Sequence, residues 1–140
     1  MVGGLMQFLV DTNIWLELLL NQQRAQEVRQ MFEEREGSDF AMTEFSLYSI
    51  GIVLTRLNKD EAFARFIADA LEQAGTRLVR LGSADLQALL GVRKKFGLDF
   101  DDAYQYTAAE KHNLILLSFD TDFDRTARGR KTPAMVHASP

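Results

Sequence analysis

Apolar and polar positions follow two rhythms along this chain: short continuous apolar runs, and longer stretches in which apolar residues recur every three or four positions. Continuous runs suit strands buried on both faces, the longer period suits amphipathic helices, and their alternation predicts an α/β layer fold. Met6-Gln7-Phe8-Leu9-Val10 reads as a first strand and stops at Asp11-Thr12-Asn13, residue types that favour helix N-caps. Helices are expected over Ile14 to Leu20 and over Gln22 to Glu36, the second carrying a narrow stripe of Ala25, Val28, Met31 and Phe32. Phe40-Ala41-Met42 predicts a second strand. Phe45 to Leu57 predicts a helix apolar on nearly all sides and therefore deeply buried, with a turn at Asn58-Lys59-Asp60 and an amphipathic helix over Glu61 to Gln73.

A third strand is expected over Thr76 to Leu81 and a helix over Ala84 to Lys95, ended by Gly97. Phe100 to Lys111 reads as a helix with an acidic first turn, which suits the positive end of a helix dipole. Leu114-Ile115-Leu116-Leu117 is the strongest strand signal in the chain, and Ala134-Met135-Val136 predicts an edge strand. The pattern amounts to one domain over residues 6–140, with a parallel sheet of four or five strands and residues 1–5 as a flexible lead-in.

Composition narrows the classes. With 140 residues, 46% of them apolar, two prolines and no cysteine, the chain reads as a folded protein without disulfides, thiolate zinc sites or cysteine nucleophiles. The stretch from Leu5 to Leu20 is interrupted by Gln7, Asp11, Asn13 and Glu17 and so falls short of the roughly 20 apolar residues of a spanning helix, which makes a cytoplasmic protein the expectation. The net charge of −4 argues against a general nucleic-acid coat. The acids are unevenly placed, however: seven of the 20 (Asp99, Asp101, Asp102, Glu110, Asp120, Asp122 and Asp124) fall within residues 99–124.

Ligands of parallel sheets bind at the carboxyl ends of the strands. Asp11 follows the first strand, Glu44 the second, Asp120 the Leu114 to Leu117 run, and Asp102 opens a helix whose preceding loop can reach the same edge. Four carboxylates gathered there need a compensating cation. Oxygen donors without His or Cys select Mg²⁺ or Mn²⁺, ions suited to phosphodiester hydrolysis. Asp122 and Asp99 are further candidate ligands, and Thr12, Asn13 and Ser118 are candidates for orienting the carboxylates or a water. Two cationic groups, Arg93-Lys94-Lys95 and Arg125, Arg128, Arg130 and Lys131, could hold an RNA backbone, although such residues also serve helix ends and solvated tails. Tyr104 and Tyr106, beside Asp102, are candidates for stacking on bases.

Phe8-Leu9-Val10-Asp11-Thr12-Asn13, Thr43-Glu44, Asp102-Ala103-Tyr104 and Leu116 to Phe123 resemble the four acidic motifs of the PIN-domain family of metal-dependent ribonucleases, and the 18-residue step from Asp102 to Asp120 is similar to that family's usual separation. The resemblance implies a three-layer α/β/α fold and Asp11, Glu44, Asp102 and Asp120 as metal-binding and catalytic acids. It further implies RNA cleavage by metal-activated water, a homodimer, and, as in small VapC-like toxins, a small antitoxin partner. Asp99 and Asp101 crowd the third motif and could share the place of Asp102. The rival readings are a non-catalytic PIN-like module that binds RNA or protein, and a haloacid-dehalogenase-like phosphatase. The latter predicts a second Asp two residues after the first, where this chain has Asn13.

Overall fold

A computed structural model of the chain describes residues 6–136. Four strands, β1 (Phe8–Val10), β2 (Phe40–Thr43), β3 (Arg77–Val79) and β4 (Ile115–Leu117), form one sheet in the order β3-β2-β1-β4. Every pairing is parallel, with Phe8 opposite both Phe40 and Ile115, and Ala41 opposite Arg77. The helices are α1 (Thr12–Leu19), α2 (Ala25–Glu33), α3 (Glu44–Arg56), α4 (Asp60–Phe66), α5 (Ser83–Phe96), α6 (Phe100–Lys111) and α7 (Pro133–Val136). Residues Ile67–Gln73 continue α4 as a π-helical segment, and 3₁₀ turns lie at Gly37–Asp39 and Thr121–Arg125.

Strand periodicity builds the three layers. Phe8, Val10, Phe40 and Met42 point to one face and pack with Ile14, Trp15, Val28, Met31, Ile50 and Leu54 of α1, α2 and α3. Leu9, Ala41, Val79 and Leu116 point to the other, against Leu89 of α5 and Ala103, Tyr106 and Ala108 of α6. Successive side chains alternate across a sheet, so fully apolar strands require helices on both faces. The chain first moves outward from β1 through β2 to β3 and then returns to the far side of β1 as β4. That reversal leaves a crevice at the carboxyl ends of β1 and β4, where open α/β sheets bind ligands.

Local punctuation follows the sequence closely. The Asp11 carboxylate accepts from Thr12 N to open α1, and Thr43 Oγ1 accepts from Ser46 N to open α3. Asn21, Asn58 and Asn113 have positive φ just after α1, α3 and α6, and Gly97 does so after α5. A Cβ on Gly37 would meet the backbone carbonyl of Ala74. Gly37→Ala is therefore expected to lose about 1–3 kcal/mol, read from urea unfolding.

Three expectations change. Ala134-Met135-Val136 is not an edge strand but belongs to α7, which opens on Pro133, a residue pre-set for the first helical turn. Its last carbonyl, of Val136, accepts from the Arg35 guanidinium at 2.8 Å. The sheet is extended past β4 by one bridging residue, Lys131, whose N–H donates to Leu116 O and whose carbonyl accepts from Ser118 N. Second, α3 is not buried all round: Leu47, Ile50, Gly51 and Leu54 face the core, while Tyr48 is 59% and Ile52 49% exposed. Third, the second expected helix, Gln22 to Glu36, is shorter, ordered over Ala25–Glu33. The lead-in at residues 1–5 lies outside the described residues, and no helix among those described is long and apolar enough to cross a membrane.

Candidate metal centre

Asp11 sits at the carboxyl end of β1, tied to β4 by its own N–H, which donates to Leu117 O at 2.9 Å. It is only 6% exposed. Its Oδ1 accepts from Thr12 N at 2.8 Å and from Gln105 Nε2 at 2.9 Å, and its Oδ2 accepts from Ser118 Oγ at 2.7 Å. Burial pushes its carboxyl above the ordinary aspartate range; the hydrogen bonds from Gln105, Ser118 and Thr12 oppose that shift, and the charge of Asp120 adds to it.

Asp102 enters from the first turn of α6 and Asp120 from the residue that caps the Thr121–Arg125 turn, where its Oδ1 accepts from Asp122 N at 2.8 Å. Oxygens of Asp102, Asp120 and Asp122 lie within 4.8 Å of one another, and so do those of Asp99, Asp101 and Asp102. Asp102 is pushed up to about 8, first by burial and then by the charge of Asp120, a hydrogen bond shared with it, and the charges of Asp101 and Asp11. A carboxyl made to hold its proton by burial and by neighbouring carboxylates marks a place where positive charge is wanted. Asp11, Thr12, Asn13, Asp101, Asp102, Gln105 and Asp120 line one cavity of about 260 Å³, closed on its apolar side by Leu16 and Phe45. A larger groove of about 550 Å³ among Trp15, Leu19, Phe32 and Phe66 is mostly apolar and holds none of these carboxylates.

Of the acids singled out in the sequence, Asp11, Asp102 and Asp120 meet at this cavity, with Asp122 beside Asp120. Glu44 does not join them. It follows β2 as expected, but its carboxylate faces Arg80, past the end of β3, at 3.6 Å, and it is absent from the cavity wall. The first turn of α3 instead turns inward the hydroxyl of Ser46, buried and within 2.8 Å of Thr12 Oγ1.

Thr12, Asn13 and Ser118 brace this arrangement. Ser118 Oγ accepts from Asn13 Nδ2 at 3.3 Å and from Asp120 N at 2.9 Å, so its single proton goes to Asp11. Asn13 Oδ1 accepts from Phe119 N, locking the loop after β4 against the start of α1. Sequence reasoning passed over Gln105. The signal was there: a carboxamide one helical turn after Asp102, on a helix otherwise lined by alanines and tyrosines.

Three of the four cations at 125–131 are engaged by the body of the protein. Arg125 donates to the carbonyls of Phe96 and Gly97 and pairs with Asp122 at 3.1 Å. Arg128 donates to Leu114 O at 3.0 Å, and Arg130 to Ser118 O at 3.1 Å while pairing with Asp124. Three guanidiniums thus staple the segment after β4 to the body, and among the described residues Lys131 alone of the four has no side-chain partner. Removing the Arg128 staple by Arg128→Ala should cost about 1 kcal/mol in urea unfolding. The tyrosines are also engaged: Tyr104 OH accepts from Leu81 N, and Tyr106 is buried against Phe96.

The family model of the PIN domain matches residues 8–129, a span that takes in every acid of the cluster. The chain belongs to the PIN domain family. Its fold is correspondingly similar to solved structures of low identity. These include a toxin-antitoxin complex from Klebsiella pneumoniae (20% identity, TM-score 0.72, covering 91% of this chain and 98% of that one). Another is VapC20 from Mycobacterium tuberculosis, described as a sarcin-ricin loop cleaving toxin (16%, TM-score 0.73, 87% and 96%). A third is FitAcB from Neisseria gonorrhoeae (18%, TM-score 0.70, 91% and 98%). No curated protein matches. In PIN-domain terms, the donor set is all oxygen, as hard divalent cations require, and contains no His or Cys.

Proposed function

We propose that this PIN-domain protein is a Mg²⁺- or Mn²⁺-dependent endoribonuclease, built as one domain, and that it is the toxin of a toxin-antitoxin pair. The observation that carries the reading is the meeting of Asp102, Asp120 and Asp122 within 4.8 Å, beside a braced Asp11, at the carboxyl-end crevice between β1 and β4. Such a cluster holds a divalent cation, which when bound lowers the pKa of a coordinated water and offsets charge on a scissile phosphate. The protein's share is geometric. Asp11, Asp102 and Asp120 supply oxygens, and one of them positions or deprotonates the attacking water. Ser118, Asn13 and Thr12 hold those oxygens in place, and the apolar wall of Leu16 and Phe45 strengthens the local electrostatics by excluding water.

The structural neighbours that are toxin-antitoxin proteins support the toxin reading and a small antitoxin partner. The exposed Tyr48 and Ile52, one turn apart on α3, support a homodimer. RNA as substrate makes the cytoplasm the place of action. The phosphatase alternative loses ground because Asn13, at the position where it needs an acid, is committed through both side-chain atoms to Ser118 and Phe119.

Incubation of labelled single-stranded RNA with the purified protein and Mn²⁺ should give internal cleavage that a chelator stops. RNA binding without cleavage would instead assign the chain to the non-catalytic modules. Lys131→Ala should lower the slope of log affinity against log salt by about 0.7, the share of one contact to a single-strand phosphate.

A further inference from the structure

Gln105 is 2% exposed on α6 and makes three side-chain hydrogen bonds, one of them to Asp11 of the metal centre. Its Nε2 donates to Asp11 Oδ1 at 2.9 Å and to Ser46 Oγ at 2.7 Å, and its Oε1 accepts from Thr43 Oγ1 at 2.8 Å. Thr43 Oγ1 already accepts from Ser46 N, so its one proton is directed at the amide oxygen. Turning the amide over would set its oxygen against a carboxylate oxygen of Asp11. The orientation is therefore fixed by β2 on one side and β1 on the other.

The consequence falls on Asp11. Oδ1 takes one proton from Thr12 N and one from Gln105, which fills both of its lone-pair directions, whereas Oδ2 takes only the proton of Ser118. We propose that Gln105 is a positioning residue of the metal centre: by saturating Asp11 Oδ1, it leaves Oδ2, which keeps one lone-pair direction free, as the oxygen that Asp11 offers to a cation held with Asp102 and Asp120. An apolar side chain would pack against the same alanine-lined helix. The carboxamide does what that side chain could not, since it links the ends of β1 and β2 to α6 and restrains the rotation of the Asp11 carboxylate. Partners that orient a ligating carboxylate commonly govern metal affinity by 10–100-fold, roughly the effect expected here. The inference rests on the metal-nuclease reading.

The test titrates Mn²⁺ into the purified protein and follows the EPR signal of the free ion, with circular dichroism as a check on folding. Wild type should bind, Asp102→Asn should lose binding, and Gln105→Leu should bind roughly 10–100-fold more weakly. Ala108→Gly, which loosens the same helix without touching the network, should keep wild-type affinity; if it weakens binding as Gln105→Leu does, the role of Gln105 is no more than structural and the proposal falls. Should Gln105→Leu not fold, Gln105→Met carries the same comparison with an unbranched side chain. Wild-type binding with unchanged affinity in the Gln105 variant overturns the positioning role alone. A wild-type chain that takes up no Mn²⁺ overturns the metal centre and the role of Gln105 together.

Discussion

Asp102→Asn is expected to reduce Mn²⁺-dependent RNA cleavage by about 10²–10³-fold and, at pH 8, to raise the unfolding midpoint of the metal-free protein. The two effects have one cause. Asp102 lies among Asp101, Asp120 and Asp11 and is pushed up to about 8, so without a cation its ionised form is unwelcome. Asparagine keeps the shape and a hydrogen-bonding oxygen but removes the charge. It relieves repulsion in the empty cluster, a change of a kind that commonly adds about 0.5–2 kcal/mol when strain at a functional site is removed. Cleavage falls because a lost anionic ligand forfeits several kcal/mol of charge stabilisation in the transition state, and each 1.36 kcal/mol or so is tenfold in rate. Cleavage assays and thermal melts in the presence of a chelator read the two halves separately. Retained cleavage, or a variant less stable than wild type at pH 8, would contradict this account of the cluster.

The second large effect is on the pH dependence of stability. The unfolded chain titrates Asp102 near its ordinary value of 3.8, and the folded chain near 8. Between those values the folded state binds more protons than the unfolded state, so stability falls as pH rises across the window and the loss is complete above about pH 8. Asp11, also raised by burial, shifts stability in the same direction. Metal-free protein should therefore melt lower at pH 8 than at pH 5 by roughly 3–10 °C, the scale of 1–2 kcal/mol in a chain of this size. Mn²⁺ should restore more stability at pH 8 than at pH 5, because metal and protons compete for the same oxygens. The gain from Asp102→Asn should vanish at pH 5, where wild-type Asp102 already carries its proton. A melting temperature that rises through this window in the absence of metal would run against the burial and clustering described above.

The strands and their order of appearance were legible in the chain because continuous apolar runs between polar punctuation have few alternatives. The asparagines at 21, 58 and 113 and Gly97 marked helix ends through the positive φ that they adopt. Ala134 to Val136 misled because three apolar residues carry no period, and Pro133 then favours a helical start. Side-chain direction was less legible than position. Glu44 stands at the right place in sequence, but its carboxylate turns to Arg80, and Ser46, two residues on, takes the inward direction. The arginines after Asp124 could be read as RNA-binding or as structural, because charge patterning carries no record of which carbonyls a loop leaves open. Phe96, Gly97, Leu114 and Ser118 leave theirs open, and the guanidiniums fill them. Gln105 was silent because a lone amide in a helix usually faces solvent, and only the convergence of Thr43, Ser46 and Asp11 gives it partners.

A divalent-cation site formed by the carboxylates at the crevice between β1 and β4 would be seen in the anomalous scattering of crystals of the wild-type protein soaked in Mn²⁺. A peak is expected bonded to oxygens of Asp102 and Asp120, with Oδ2 rather than Oδ1 of Asp11 turned toward it. A map with no peak there, or with Mn²⁺ only among the exposed Asp99 and Asp101, would contradict that expectation.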